Sequence, residues 1–576
     1  MTLRRRISRS AALGLGAAIA LSACTTSDVT ESTMRATTSS PDATLTVMAD
    51  ANEIEASVST SRELFDTAPV VVVAPVGVPE AQDVAARAAI ALGAPLLIGN
   101  KLPAQSEGTG APASGAPTES ATENAEPEPE PTPSVEPSPL ADELDRLATT
   151  TTLVVGDAAD PTGGELDRTI VRTDATAQAA GTAIGLELAD PAAELPAMFP
   201  AEIAALEAPK KSASTSTPSA NTKISAVKRP KPLTDTAAIA IDGVEQLASI
   251  ATTRAAGIPV HLLTGGFTNP QADASVIEAL HATPGEKTIA LGAAFGTEPA
   301  LDWKVRTART GAQLPGGGQL LFADHQFVAI YGTPSTPVLG VLGEQDVAGS
   351  VARAQEVAAQ YQGLTAKTVV PMFEIIASVA AGGPGPDGNF SNELSPESLR
   401  PWVDAAAEAG MYVVIDLQPG RTDFLTQAKQ YQSLLELPNV GLALDPEWRL
   451  APDEFHLRTI GSVSAAEVNS VTHWLADLTH EKGLPQKMLI VHQFRPSMVT
   501  DRQNLDLSRP EVAMLLHVDG QGGQPDKQAT WANLLRDAPA GVAWGWKNFY
   551  DEDAPMLTPE QTISGVHPTP ELITYQ

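Results

Sequence analysis

The sequence predicts an α/β chain in two parts: N-terminal tandem Rossmann-like repeats with parallel sheets, then a C-terminal (β/α)8-like barrel, complete or short of one strand. Three observations carry this. Short, uniformly apolar strands alternate with helices along most of the chain, as parallel strands covered on both faces require. One order of elements (strand, helix, Gly-x-Pro strand, helix, strand ending in Gly) occurs twice before residue 300. Beyond it, seven further strands recur over about 250 residues, and all 7 Trp and 6 Tyr residues lie there.

Length and charge narrow the possibilities. At 576 residues the chain exceeds one ordinary domain. Its 37 basic and 69 acidic side chains give a net charge of −32. Such a surface repels polyanions, so no nucleic-acid partner is expected. A single cysteine excludes an internal disulfide and any Cys-rich metal site. Neither Gly156-Asp-Ala-Ala-Asp160 nor Gly292-Ala-Ala-Phe-Gly296, at the ends of strands in the N-terminal repeats, contains GxGxxG, and there is no P-loop or GxSxG motif, so no cofactor is expected.

The chain opens with an address. Arg4, Arg5 and Arg6 precede the short apolar run Ala11 to Leu21, too short to span a membrane but suited to a signal peptide over 1–23. It ends in Leu21-Ser22-Ala23-Cys24, which resembles a bacterial lipobox. That resemblance implies lipidation of Cys24, a membrane partner through the lipid anchor, and a place on the extracytoplasmic face of the cell membrane, as on a Gram-positive, actinobacterial cell. Two acyl chains, at ~0.8 kcal/mol per buried CH₂, anchor a protein stably. Residues 24–43, rich in Thr and Ser, are expected to form a flexible tether.

Residues 44–300 form the first module, with two low-complexity inserts at about 102–139 and 209–232 that lack the apolar content to order themselves. Its first copy runs from Pro69-Val-Val-Val-Val-Ala-Pro75 through a helix at Pro79 to Leu92, the strand in GAPLLIGN from Gly93, and a helix at Leu140 to Ala148, to the strand at Thr152 to Gly156. The second runs from Thr236 to Ile241 through a helix at Val244 to Ala256, GIPVHLLTGG from Gly257, and a helix at Ala274 to Ala282, to the strand at Lys287 to Gly292. This pattern, ALGAPLLIGN and AAGIPVHLLTGG above all, resembles the cell wall-binding repeat 2 family. The resemblance covers roughly Ala68 to Gly296 and implies Rossmann-like repeats that hold a surface protein on anionic wall polymers.

Residues 301–576 form the barrel module. Gln319 to Ala323 and Gln326 to Tyr331 are expected to pair as a hairpin after the turn Pro315-Gly-Gly-Gly318. The strands that follow end in chemistry-bearing residues. The second, third and fourth finish in Glu374, Asp416 and Asp445-Pro446-Glu447; the fifth and sixth in His492-Gln493 and His517-x-Asp519; the seventh carries Trp544, Trp546 and Lys547. In a parallel barrel these ends converge on one face, where catalytic groups gather. An eighth strand is sought within residues 558–576. Gly-rich loops at Ala381 to Gly388 and Asp519 to Asp526 lie on that same face.

Carboxylates for acid–base work beside aromatic plates suit a sugar. The candidate catalytic residues are Asp445 and Glu447, with Asp416 and Glu374. The candidate substrate-binding residues are Trp448, Trp544, Trp546, Tyr331, His492, Gln493, His517, Asp519 and Lys547. The expected function is binding, with hydrolysis, of a cell-wall or envelope polysaccharide by a glycoside-hydrolase-like barrel. One alternative is a non-catalytic wall-binding scaffold with a degenerate barrel. Another is a metal-dependent hydrolase using His492, His517 and Asp519, ranked lower because the first strand has no His-x-His. No resident metal is assigned.

Overall fold

The computed structural model of the protein describes residues 34–102, 138–161, 164, 166–191, 196–209, 224 and 227–576. The signal peptide, Cys24, and most of both low-complexity inserts lie outside the described residues. No helix among the described residues is long and apolar enough to cross a membrane.

The first module holds two four-stranded parallel sheets of matching order. In one, Leu96–Gly99, Val70–Pro75, Thr151–Val155 and Thr169–Thr173 lie side by side. In the other, Val260–Leu263, Thr236–Ile241 and Lys287–Leu291 are joined by Leu45–Met48. The two expected copies supply three strands each. The fourth strand of the second sheet comes from the start of the chain, before the first copy begins. The helices Pro79–Leu92 and Leu247–Ala255 pack against each other through small residues such as Ala85, Ala89, Ala248 and Ala251, so both sheets share one apolar core.

Three boundaries differ from those expected. Met34–Arg35 pairs with Val227–Lys228, and Thr37–Thr38 pairs with Phe65–Thr67. The tether expected to reach residue 43 therefore gives way to paired backbone at Met34, and the second insert does so at Val227. The helix Leu301–Thr310 belongs to the first module, because Leu301, Val305 and Ala308 are buried in the core of the second sheet. The barrel proper starts at His325.

The barrel is closed. Its eight parallel strands are β1 (His325–Gly332), β2 (Thr368–Ala380), β3 (Tyr412–Leu417), β4 (Val440–Leu444), β5 (Lys487–Gln493), β6 (Val512–Val518), β7 (Ala543–Asn548) and β8 (Leu572–Tyr575). The eighth strand lies within the expected stretch and pairs with both β7 and β1. The expected hairpin does not form: β1 has parallel neighbours on both sides, β8 and β2. Leu321 and Phe322, from the segment expected to pair with it, instead pack with Leu314 against Phe327 and Val370 and seal the barrel floor.

Alternation along each strand sorts the residues into two faces. Val328, Ile330, Val413, Ile415, Leu489 and Val491 face the surrounding helices. Phe327, Ala329, Met372, Tyr412, Val414, Ile490 and Leu515 fill the lumen. The lumen is tight where strands crowd. A Cβ on Gly545 would lie 2.5 Å from His517 Cδ2, so only glycine fits opposite that ring.

Candidate active site

One step above the apolar lumen layers, the inward positions turn polar. Continuing the alternation from Ala329, Met372, Val414, Ile490 and Leu515 gives Tyr331, Glu374, Asp416, His492 and His517, all buried. Asp445 and Glu447 follow the end of β4 around the turn Pro446–Trp448, Asp519 follows β6, and Lys547 comes from β7. The strand does not extend through Pro446, yet Asp445 and Glu447 reach the same cavity.

That cavity, about 530 Å³, opens at the C-terminal face of the barrel. Tyr331, Asp445, Glu447, Trp448, Asp519 and Lys547 line it, together with Gln418, Phe494, Phe549, Thr530 and Gln576. Its size is that of an ordinary small-ligand site. Trp448, Phe494 and Phe549 supply apolar walls among charged groups.

A hydrogen-bonded layer underlies the cavity. The Tyr331 hydroxyl donates to Asp416 Oδ2 at 2.9 Å. His492 bridges two carboxylates: Nε2 lies 2.9 Å from Glu374 Oε1, and Nδ1 lies 3.4 Å from Asp519 Oδ2. His517 Nε2 meets the Thr574 hydroxyl at 3.1 Å. The Lys547 ammonium sits 3.5 Å from the centre of the Tyr331 ring, a cation–π contact.

This packing sorts the titratable groups. Burial, then the charge of Glu447, pushes the Asp445 carboxyl well above its usual range. Burial, then the charge of Asp519, pushes Glu447 up to about 7. Burial also raises Asp416, with Glu374 adding to it and His492 opposing it. Asp519 behaves differently: burial would raise it, but His492 and Lys547 outweigh burial and hold it below the usual carboxylate range. Burial would likewise lower His492, but Glu374, Asp519 and Asp416 hold it well above its ordinary value. His517, buried beside His492 and Lys547, is pushed well down and stays neutral. Tyr331, buried against Asp416, is raised and remains a phenol.

Of the residues expected at the site, Asp445, Glu447, Trp448, Tyr331, Asp519 and Lys547 line the cavity, while Asp416, Glu374, His492 and His517 form the layer beneath. Three are placed elsewhere. Trp544 and Trp546 face outward from β7, where they pack on Trp531 at 5.7 and 5.6 Å between ring centres. Their neighbours Gly545 and Lys547 take the inward positions, so the Trp rings necessarily face away. Gln493 likewise follows the inward His492, and its side chain meets the Arg495 carbonyl and the Arg502 guanidinium rather than the cavity. Gln418, Phe494, Thr530, Phe549 and Gln576 line the cavity without having been expected there. The same period points to Gln418, two residues after Asp416, and to Phe549, two after Lys547.

Glu374, His492 and His517 each present one donor atom within 4.8 Å of the others, a set able to hold a cation. In the structure His492 Nε2 and Glu374 Oε1 already bond to each other.

No family model matches the chain. No curated protein matches it. Among solved structures it is similar to "Cwp6 from Clostridium difficile", at 13% identity and a TM-score of 0.26, over 60% of this chain and 64% of that one. The chain thus spans less than two thirds of that structure.

Proposed function

We propose that the protein is a surface lipoprotein, anchored at Cys24, whose barrel binds and hydrolyses a cell-envelope polysaccharide. The N-terminal sheets serve as its wall-binding part. The observation that carries the catalytic reading is the split between two carboxylates of one cavity: Glu447 is held up to about 7 while Asp519 is held below the usual range. Environments that push paired carboxyls apart assign an acid and an ionised partner.

In this reading Glu447 gives its proton to the glycosidic oxygen as the bond to the anomeric carbon breaks. The Asp519 carboxylate faces the positive charge that develops there. Water then adds its hydroxyl to that carbon, and its proton restores Glu447. Trp448 and Phe549 stack on the ring, and Asp445 and Lys547 orient it. Asp416, Glu374 and His492 act as positioning residues, since they hold Tyr331 and Asp519 from below the cavity.

The test is release of reducing ends from isolated envelope polysaccharides by the full chain, beside Glu447→Gln. Release lost in that variant supports the proposal; binding with no release leaves a wall-binding scaffold. The donor set of Glu374, His492 and His517 favours a second reading, a metal-dependent hydrolase. A chelator separates the two, because only the metal-dependent enzyme loses activity.

A further inference from the structure

The cavity and the layer beneath it hold more carboxylates than cations. Against Glu374, Asp416, Asp445, Glu447 and Asp519 stand two cations of the same layers, Lys547 and His492, with Lys527 acting on Asp519 from its place beside Asp553. Both cations are already engaged. His492 lies between Glu374 and Asp519 at 2.9 and 3.4 Å, and Lys547 stands over the Tyr331 ring at 3.5 Å.

Asp445 is left unanswered. It is 3% exposed, its Oδ1 has no partner, and it faces the cavity. Among the described residues outside this site, buried carboxylates have a cation: Asp83 has Arg87 at 2.7 Å, Glu143 has Arg146 at 2.7 Å, Glu511 has Arg509 at 3.2 Å and Asp553 has Lys527 at 2.9 Å. Within the site Asp416 has the Tyr331 hydroxyl but lies in the layer below the cavity, whereas Asp445 lines it. A buried carboxyl without a counter-charge meets that cost by holding its proton, and a cationic ligand seated against it removes the cost.

We infer that the ligand brings the missing positive charge: the glycan carries free amines, as unacetylated hexosamine units, and an ammonium group seats against Asp445. This deepens the polysaccharide reading and rests on it. An ammonium offers three donors to the Asp445 carboxylate and to other acceptors of the cavity lining. An N-acetyl group is neutral and would leave Asp445 as it stands.

The experiment is calorimetric titration of the full chain with a glucosamine or galactosamine oligomer and with its N-acetylated counterpart. The free-amine oligomer should bind about tenfold tighter or more, as expected for a charge-assisted contact. Asp445→Asn should erase that preference, so that the two oligomers bind alike. The wild-type comparison stands even where Asp445→Asn does not fold. Equal affinity, or preference for the acetylated form, overturns the inference. So does stoichiometric binding of zinc or calcium alone that is lost in Asp445→Asn, which would place a metal ion there instead. Cleavage of a neutral glycan with no amine preference would sink this inference and leave the hydrolase reading intact. Amine-selective binding without cleavage would do the reverse.

Discussion

His492 Nδ1 and Asp519 Oδ2 lie 3.4 Å apart, joining the last turn of the lumen on β5 to the residue just past β6. This ion pair, with Lys547, keeps Asp519 ionised despite its burial. Replacing His492 with Gln removes the charge and keeps the ring's approximate volume. Asp519 should then titrate at higher pH, so the acid limb of the kcat/KM profile should move upward. Turnover should fall by roughly 10²-fold, the lower end of what a positioned acid–base group supplies.

Glu447, held up to about 7, is protonated below that pH and loses its proton above it. Activity that needs a general acid is therefore full on the acid side and declines as pH rises through about 7. Glu447→Gln should remove that limb with the activity itself, a loss of about 10²–10⁴-fold. Steady-state rates across the pH range check both.

Lys547 lowers the Glu447 pKa by its charge, working against burial and Asp519. Lys547→Met should thus shift the alkaline limb to higher pH. It should also weaken glycan binding, since the ammonium lines the cavity. A profile that keeps its alkaline limb in place would separate Lys547 from Glu447.

Trp448 and Trp546 should respond in opposite ways. Trp448→Ala should raise KM with little change in stability, because that ring is half-buried on the cavity wall. Trp546→Ala should cost about 3–5 kcal/mol of stability, as large-to-small changes in a core do, because the ring is 1% exposed against Trp531. Calorimetric unfolding and KM, measured together, tell the two roles apart.

Lys487 sits at the opposite end of β5, fully buried, with its ammonium donating to the carbonyls of Leu437 and Val440. Burial lowers its pKa from 10.5 to about 7. A lysine depressed in the folded state binds fewer protons there than in the unfolded chain. Stability should therefore rise with pH between about 7 and 10.5. Lys487→Met should abolish that slope, as denaturant unfolding at several pH values would show.

Much of this was legible in the residues, for reasons that also explain the failures. The barrel strands announce themselves because both faces are buried, and their inward polar residues appear at the strand ends. Glu374, Asp416, His492 and His517 could be found from that position alone. Trp544, Trp546 and Gln493 share strands with inward residues but lie on the outer face, which position along a strand alone does not distinguish. One residue of offset moves a side chain from lumen to outer shell. The fourth strand of the second sheet, Leu45–Met48, was illegible for another reason. It pairs with Lys287–Leu291 across more than two hundred residues of sequence, and nothing local in Leu-Thr-Val-Met names that partner. The helix Leu301–Thr310 is hard to place for a similar reason: Leu301, Val305 and Ala308 form an amphipathic stripe that fits either module, and only packing decides.

The most direct test of the central claim, that Glu447 works as the acid beside an ionised Asp519, is reducing-end release from envelope polysaccharide by the full chain and by Glu447→Gln. The predicted result is release by the native protein that disappears in the variant while binding persists. Binding without release, identical in both proteins, would contradict it.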